Sequence, residues 1–152
     1  MSENELKMDK STWGEGPWQH EPDKVEWRSY GFPCLIVRGP GGQLCGYVAV
    51  NPGHPWHGKD CDDVEVLVHG GCSYDGKCQP DGHICHVPKP GESDDVWWLG
   101  FDCAHGGDYI PRLGFAVHLL LGYDLNTDTY RDLAYVTAEV ESLAAQAKDV
   151  HS

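Results

Sequence analysis

The stretch Asp94-Asp95-Val96-Trp97-Trp98-Leu99-Gly100-Phe101-Asp102-Cys103-Ala104-His105-Gly106-Gly107-Asp108 decides how the chain is read. Its first half is rich in aromatic and branched side chains, which suit a pleated, half-buried strand. Its second half sets Asp102, His105 and Asp108 at every third position among glycines, and glycine frees the backbone where a strand must stop. The expectation is an apolar strand that delivers two carboxylates and an imidazole into a loop. Successive strand residues face opposite ways, so one of Trp97 and Trp98 belongs to the core and the other lines a pocket or covers a helix.

Working upstream, residues 63–68 alternate and read as a second strand, ending in His69-Gly70-Gly71. His69 would then share a face with Glu65 and Leu67, and Asp102 with Trp98 and Gly100. If the two strands were antiparallel neighbours, their C-terminal ends would lie at opposite edges and His69 would miss Asp102. A parallel or non-adjacent arrangement brings them together, and the intervening residues exceed the dozen or so that a crossover needs. Residues 69–95, holding Cys72, Cys78, His83, Cys85 and His86, show no helical period; a loop of that length in a compact domain is functional, metal-tied or a flap.

Further out, residues 33–38 and 43–50 flank the turn Gly39-Pro40-Gly41-Gly42 and predict a β-hairpin. Residues 24–30 alternate as a short strand. Residues 51–58, with two prolines and two glycines, exclude regular structure. Residues 113–121 are apolar on all sides and are expected to be buried, as helix or strand. A C-terminal helix is predicted with Thr129 as N-cap and Asp132 completing a capping box. Leu133, Val136, Val140, Leu143 and Ala147 form its apolar stripe, with Glu139 at the edge and Glu141 pointing away. The fold class is α+β: a small mixed or antiparallel sheet with long Gly/Pro-rich loops and an amphipathic C-terminal helix packed on it. Residues 1–12 read as a flexible tail and 13–152 as one globular domain, with Trp13 and Trp18 pinning the N-terminal segment to the body.

Composition narrows the function classes. The chain has 152 residues, 40% hydrophobic and 23% charged, as in a soluble globular domain. Its formal net charge of −13 argues against non-specific binding to nucleic acid or anionic membranes. Arginine is scarce: Arg28, Arg38, Arg112 and Arg131. No run reaches the eighteen or so apolar residues of a membrane span, and Met1 to Lys10 lacks the apolar core of a signal peptide. The expected compartment is the cytoplasm, and the seven cysteines are therefore read as free thiols or metal ligands rather than a disulfide framework.

Three blocks stand out: Val68-His69-Gly70-Gly71 with Ser73-Tyr74, Trp97 through His105 with Gly107-Asp108, and Tyr130-Arg131-Asp132-Leu133-Ala134-Tyr135-Val136 with Glu139. Together they resemble a group of small uncharacterised bacteriophage and prophage proteins. The segments 13–18 and 39–50 share the likeness, which thus covers most of the chain. It implies a phage-linked intracellular setting and a single folded domain, and carries no activity.

The leading site is His69, Asp102, His105 and Asp108, a ligand set suited to a divalent ion such as Zn or Mn. There the ion would bind a substrate or activate water, with His105, Asp102 and Glu139 as acid, base or supporting groups. The plain reading of the same residues is turn capping by Asp102 and Asp108, with His69 ending a strand. Cys72, Cys78, His83, Cys85 and His86 lack Cys-x-x-Cys spacing and suit zinc poorly. Cys103 beside Asp102 and His105 is a nucleophile candidate, although such partners rarely come from adjacent positions. His54 and His57 either contact a ligand or belong to a loop packed by Trp56. The function expected is recognition of a small polar ligand, such as a nucleotide, at the strand ends, with metal-assisted hydrolysis as its enzymatic form. The rival is a non-catalytic binder: a sponge for a defence signalling nucleotide, or an acidic inhibitor of a host protein.

Overall fold

A computed structural model describes residues 2–3, 6–79, 81, 83–86, 88, 90, 93–122 and 128–150. Its centre is an antiparallel sheet made of β1 (Ser2–Glu3), β2 (Lys24–Ser29), β3 (Phe32–Arg38), β4 (Leu44–Val50), β5 (Tyr74–Lys77) and β6 (Trp97–Asp102). The order is β1-β2-β3-β4-β6-β5, so the quoted strand lies between β4 and β5. Two helices follow, α1 (Pro111–Leu121) and α2 (Leu133–Asp149). The fold is α+β, as the residue patterns imply, with α2 packed on the sheet.

Alternation along the strands sorts the core into two faces. Cys34, Ile36, Val48, Val50, Leu99 and Phe101 point toward α2 and meet Val136, Val140, Leu143, Ala144 and Ala147. Leu35, Val37, Tyr47, Ala49 and Trp98 point the other way, where Ile84 and Val96 of the 78–96 segment cover them. Trp98 is the core tryptophan, whereas Trp97 is half-buried and its indole N–H donates to the Lys59 carbonyl at 2.9 Å.

The predicted 33–50 hairpin is present. A second one, β2–β3, turns in the two residues Tyr30 and Gly31. Both have positive φ, 51° and 83°, which matches the right-handed twist of the flanking strands. At α2 the N-cap is Asp132, whose carboxylate accepts from the Tyr135 N–H at 2.9 Å; Thr129 instead bridges to Asp108, so the cap lies three residues later than expected. Glu141, expected to point away, accepts from the Trp27 indole at 3.0 Å and from the Ser29 hydroxyl, tying α2 to β2.

Residues 111–121 form a helix with Pro111 in its first turn and Gly122 in the left-handed conformation at its end. Burial is where expectation fails. Leu113, Leu119, Leu120 and Leu121 are exposed, Leu120 at 86%. Only Pro111 and Gly114 are buried on α1; its Arg112 N–H donates to the Gly41 carbonyl, Gly114 faces Tyr109 and the Phe115 ring lies against Gly14, while the leucines face outward.

Of the segment expected as a loose tail, residues 6–12 are held. The Lys10 ammonium reaches the Trp18 and Glu21 carbonyls and the Asp23 carboxylate. Met1, Asn4 and Glu5 lie outside the described residues. Asp23 in turn pairs with Arg38 at 2.7 Å, and Arg38 also donates to Gly42 O and Tyr130 Oη. This buried clamp joins the N-terminal segment, β3 and the approach to α2.

The thiol expectation is corrected. Cys61–Cys72 and Cys78–Cys85 are disulfides; Cys34, Cys45 and Cys103 are free and buried. All four bonded cysteines lie in the excursion between β4 and β6, which has little hydrophobic core of its own and gains order from cross-links.

Candidate functional site

Residues 63–68, expected as a strand, pair with no other strand among the described residues. A 3-10 turn covers Cys61–Asp63, and the chain then runs extended across α2. Val64, Val66 and Val68 pack inward on the core while Leu67 is exposed, so the alternation is real. Its backbone partner is a side chain: the Gln146 amide accepts from Leu67 N–H and donates to Leu67 O, both at 2.8 Å. The amide imitates a neighbouring strand. Non-adjacency thus meets the condition set by the sequence, and His69 arrives at the C-terminal end of β6 from the side.

Gly70 permits the arrival. Its φ of +69° is one that side chains rarely adopt, and a Cβ there would overlap the His105 ring. The His69 and His105 rings lie 5.9 Å apart, edge to face.

Asp108 is the hub. It is 4% exposed and held in the chain by a parallel bridge to Thr129. His69 Nε2 lies 2.9 and 2.8 Å from its two carboxylate oxygens, Arg131 Nε donates at 2.9 Å, and the His105 N–H donates at 3.0 Å. Burial opposes ionisation of Asp108, but the hydrogen bonds from His69, Arg131 and His105 outweigh it and hold its carboxyl below the usual range. With Nε2 donating to Asp108, the Nδ1 of a neutral His69 accepts from the Tyr135 hydroxyl at 2.8 Å. The Arg131 guanidinium lies over the Tyr135 ring, 5.0 Å from its centroid.

Asp102 reaches the cluster through His105, whose Nδ1 is 3.5 Å from Asp102 Oδ1 and 3.7 Å from Asp108 Oδ2. Asp102 Oδ1 also accepts from the Ala104 N–H at 3.1 Å, the turn-capping role that its position allows. Unlike Asp108 it is half-buried, and it lines a cavity of about 530 Å³ on the sheet face away from α2. Tyr47 and Tyr74 form one wall of that cavity, their rings 5.4 Å apart and perpendicular.

The expected ligand set is therefore split. Ligand atoms of His69, His105 and Asp108 lie within 4.8 Å of one another, close enough to hold a metal ion, and Asp102 stands beside His105. Glu139 makes no hydrogen bond or ion pair with them among the described residues; it bears on the Tyr135 hydroxyl, which burial and then the Glu139 charge push up. Cys103 is 1% exposed, and burial, then the Asp108 charge, push its thiol up, away from the thiolate a nucleophile needs. Cys78, Cys85 and His86 also cluster, but both sulfurs are spent on a disulfide. His54 and His57 belong to the packed loop: His54 Nε2 donates to the Ala147 carbonyl at 2.8 Å and His57 Nε2 to Asp95 O at 2.9 Å.

Arg131, Tyr135, Tyr47 and Tyr74 are site residues that sequence reasoning missed. Arg131 and Tyr135 had a signal, being four apart across the start of α2, where i and i+4 side chains meet. The tyrosines of β4 and β5 had none, since their meeting depends on both strands pairing with or lying beside β6.

These features define an α+β chain with an Asp-centred imidazole cluster at one strand end, next to an open cavity. Compared with protein families, curated proteins and solved structures, the chain matches none.

Proposed function

We propose that this protein binds a small polar ligand where the end of β6 opens into the cavity. The observation that carries this reading is the convergence of His69, His105 and Asp108 within 4.8 Å, with Asp102 joining them to a cavity of about 530 Å³. That volume is within the usual range for small-molecule sites. Asp102 and His105, each with its side chain 37% exposed, meet the ligand; the buried His69–Asp108 pair orients the turn that presents them. A non-catalytic binder is favoured over a hydrolase because both Asp108 oxygens and both His69 nitrogens already have protein partners. The phage-linked setting is part of the proposal; the cytoplasmic compartment expected from the sequence is not, because two disulfides suit an oxidising one.

A second reading rests on the same three residues. His69, His105 and Asp108 would hold a Zn or Mn ion that activates water for hydrolysis of a nucleotide, with Asp102 and Glu139 assisting proton transfer. The ion would have to displace the His69–Asp108 bond and tolerate Arg131 at 2.9 Å from the same carboxylate. Equilibrium dialysis with Zn²⁺ and Mn²⁺ separates the two: stoichiometric binding abolished by His105→Ala establishes the metal site, and none leaves the binder. Incubating the protein with a nucleotide panel, then denaturing it, distinguishes turnover from sequestration; recovery of an unchanged bound nucleotide identifies a sponge.

A further inference from the structure

The charge of the cavity lining identifies what it would accept. Arg38 lines it, but its guanidinium is buried and donates to Asp23, Gly42 O, Tyr130, Pro22 O and Glu21. Its positive charge is thereby matched by two carboxylates, leaving none for a ligand phosphate. Among the described lining residues the other basic side chain is His83. Asp102, by contrast, presents a carboxylate in which Oδ2 makes no hydrogen bond among the described residues. A net charge of −13 adds a long-range field that attracts cations and repels anions.

The aromatic wall supplies the rest. Tyr47 and Tyr74 meet at 88°, forming a corner against which a flat ring can stack on one face and meet an edge on the other. Gly100 makes room for this corner: a Cβ there would run into the Tyr47 ring. Aromatic faces attract cations as well as rings. Resting on the ligand-binding reading above, we infer that the cavity selects an arylalkylamine in its cationic form, a flat ring bearing an alkylammonium, its ring held by Tyr47 and Tyr74 and its ammonium by Asp102.

Four probes test this by titration calorimetry: tryptamine, 3-methylindole with a similar ring but no charge, indole-3-acetate with the opposite charge, and AMP with and without Mn²⁺. The expected order is tryptamine tightest, 3-methylindole weaker and the two anions weakest. Asp102→Asn keeps an oxygen for the Ala104 N–H and should weaken tryptamine roughly tenfold or more while moving 3-methylindole by no more than about twofold. Tryptamine binding to the unaltered protein should also weaken as salt rises, and 3-methylindole binding should not, which tests the charge independently of how the variant folds. Equal binding of tryptamine and indole-3-acetate, unaffected by salt, overturns the selection of charge while leaving a ligand cavity. AMP binding tighter than tryptamine, with or without Mn²⁺, overturns it as well. Failure of all four probes overturns both the selection and the binding reading.

Discussion

The two faces of the sheet are closed by different means. On one, α2 lays Val136, Val140, Leu143, Ala144 and Ala147 across β2, β3 and β4, all of them buried, and Val64, Val66 and Val68 of the neighbouring strap pack against the same cluster. On the other, the described cover is Ile84 and Val96, near the Cys78–Cys85 disulfide, and a cavity opens beside it. The face under the amphipathic helix is filled, whereas the opposite face keeps room for a cavity. Stability is concentrated on the first face, and the proposed ligand site lies at the border with the second.

The comparison breaks first at α2. Leu143→Ala empties a side chain that is 1% exposed and should cost about 2–5 kcal/mol, read as a lower urea midpoint. Next comes the excursion. Replacing Cys61 and Cys72 together by serine removes a cross-link between residues 11 apart and should cost about 2–4 kcal/mol. Because this link brackets the strap that carries His69, the double variant should also change the His69 ring signals in NMR spectra, whereas Leu143→Ala should leave them closer to their original positions. Unchanged signals would mean that Gln146 and the valines hold the strap unaided.

Asp108→Asn tests the border between the faces. It removes the charge that accepts from His69, Arg131 and the His105 N–H, and should cost about 1–3 kcal/mol in thermal or chemical unfolding. A smaller effect is expected at the N-terminal clamp. Burial opposes ionisation of Asp23, yet Lys10, the Met8 N–H and Arg38 lower its carboxyl below the ordinary value. A group lowered on folding stabilises the fold above its unfolded value and loses that contribution as pH falls through the folded one. Stability should therefore decline below about pH 4, and Asp23→Asn should flatten the part of this decline that Asp23 supplies. Smallest of all, Leu120→Ala on α1 should change stability by no more than about 0.5 kcal/mol, despite removing a leucine.

Much of the first face was legible because period betrays burial. The α2 stripe, the alternation of residues 24–29 and the branched runs around Gly39 to Gly42 each carry their partner's geometry in their own spacing. The rest depends on meetings that spacing does not encode. Nothing local distinguishes Val64 to Val68 from a strand, because alternation reports which side is buried and is silent about whether the backbone partner is a strand or the Gln146 amide. The same silence explains α1, whose leucines looked like core although Leu113, Leu119, Leu120 and Leu121 face outward. Of the site, Asp102, His105 and Asp108 were visible as a tight cluster, and His69 as a conditional member. That Asp108 would be the buried hub and Asp102 the exposed rim was not visible, since both follow from where the Thr129 bridge pulls the chain.

β5 has a further consequence. It is an outer strand of an open sheet, four residues long, with Asp75 and Lys77 flanking Gly76. Asp75 turns its carboxylate back to accept from the Cys61 N–H at 2.8 Å, fastening the margin to the neighbouring loop. An unpaired strand invites other chains to extend the ladder, and shortness and charge are the means by which natural sheets discourage it. Here the margin is short, carries both signs of charge and is fastened down, so the ladder stops where the chain does.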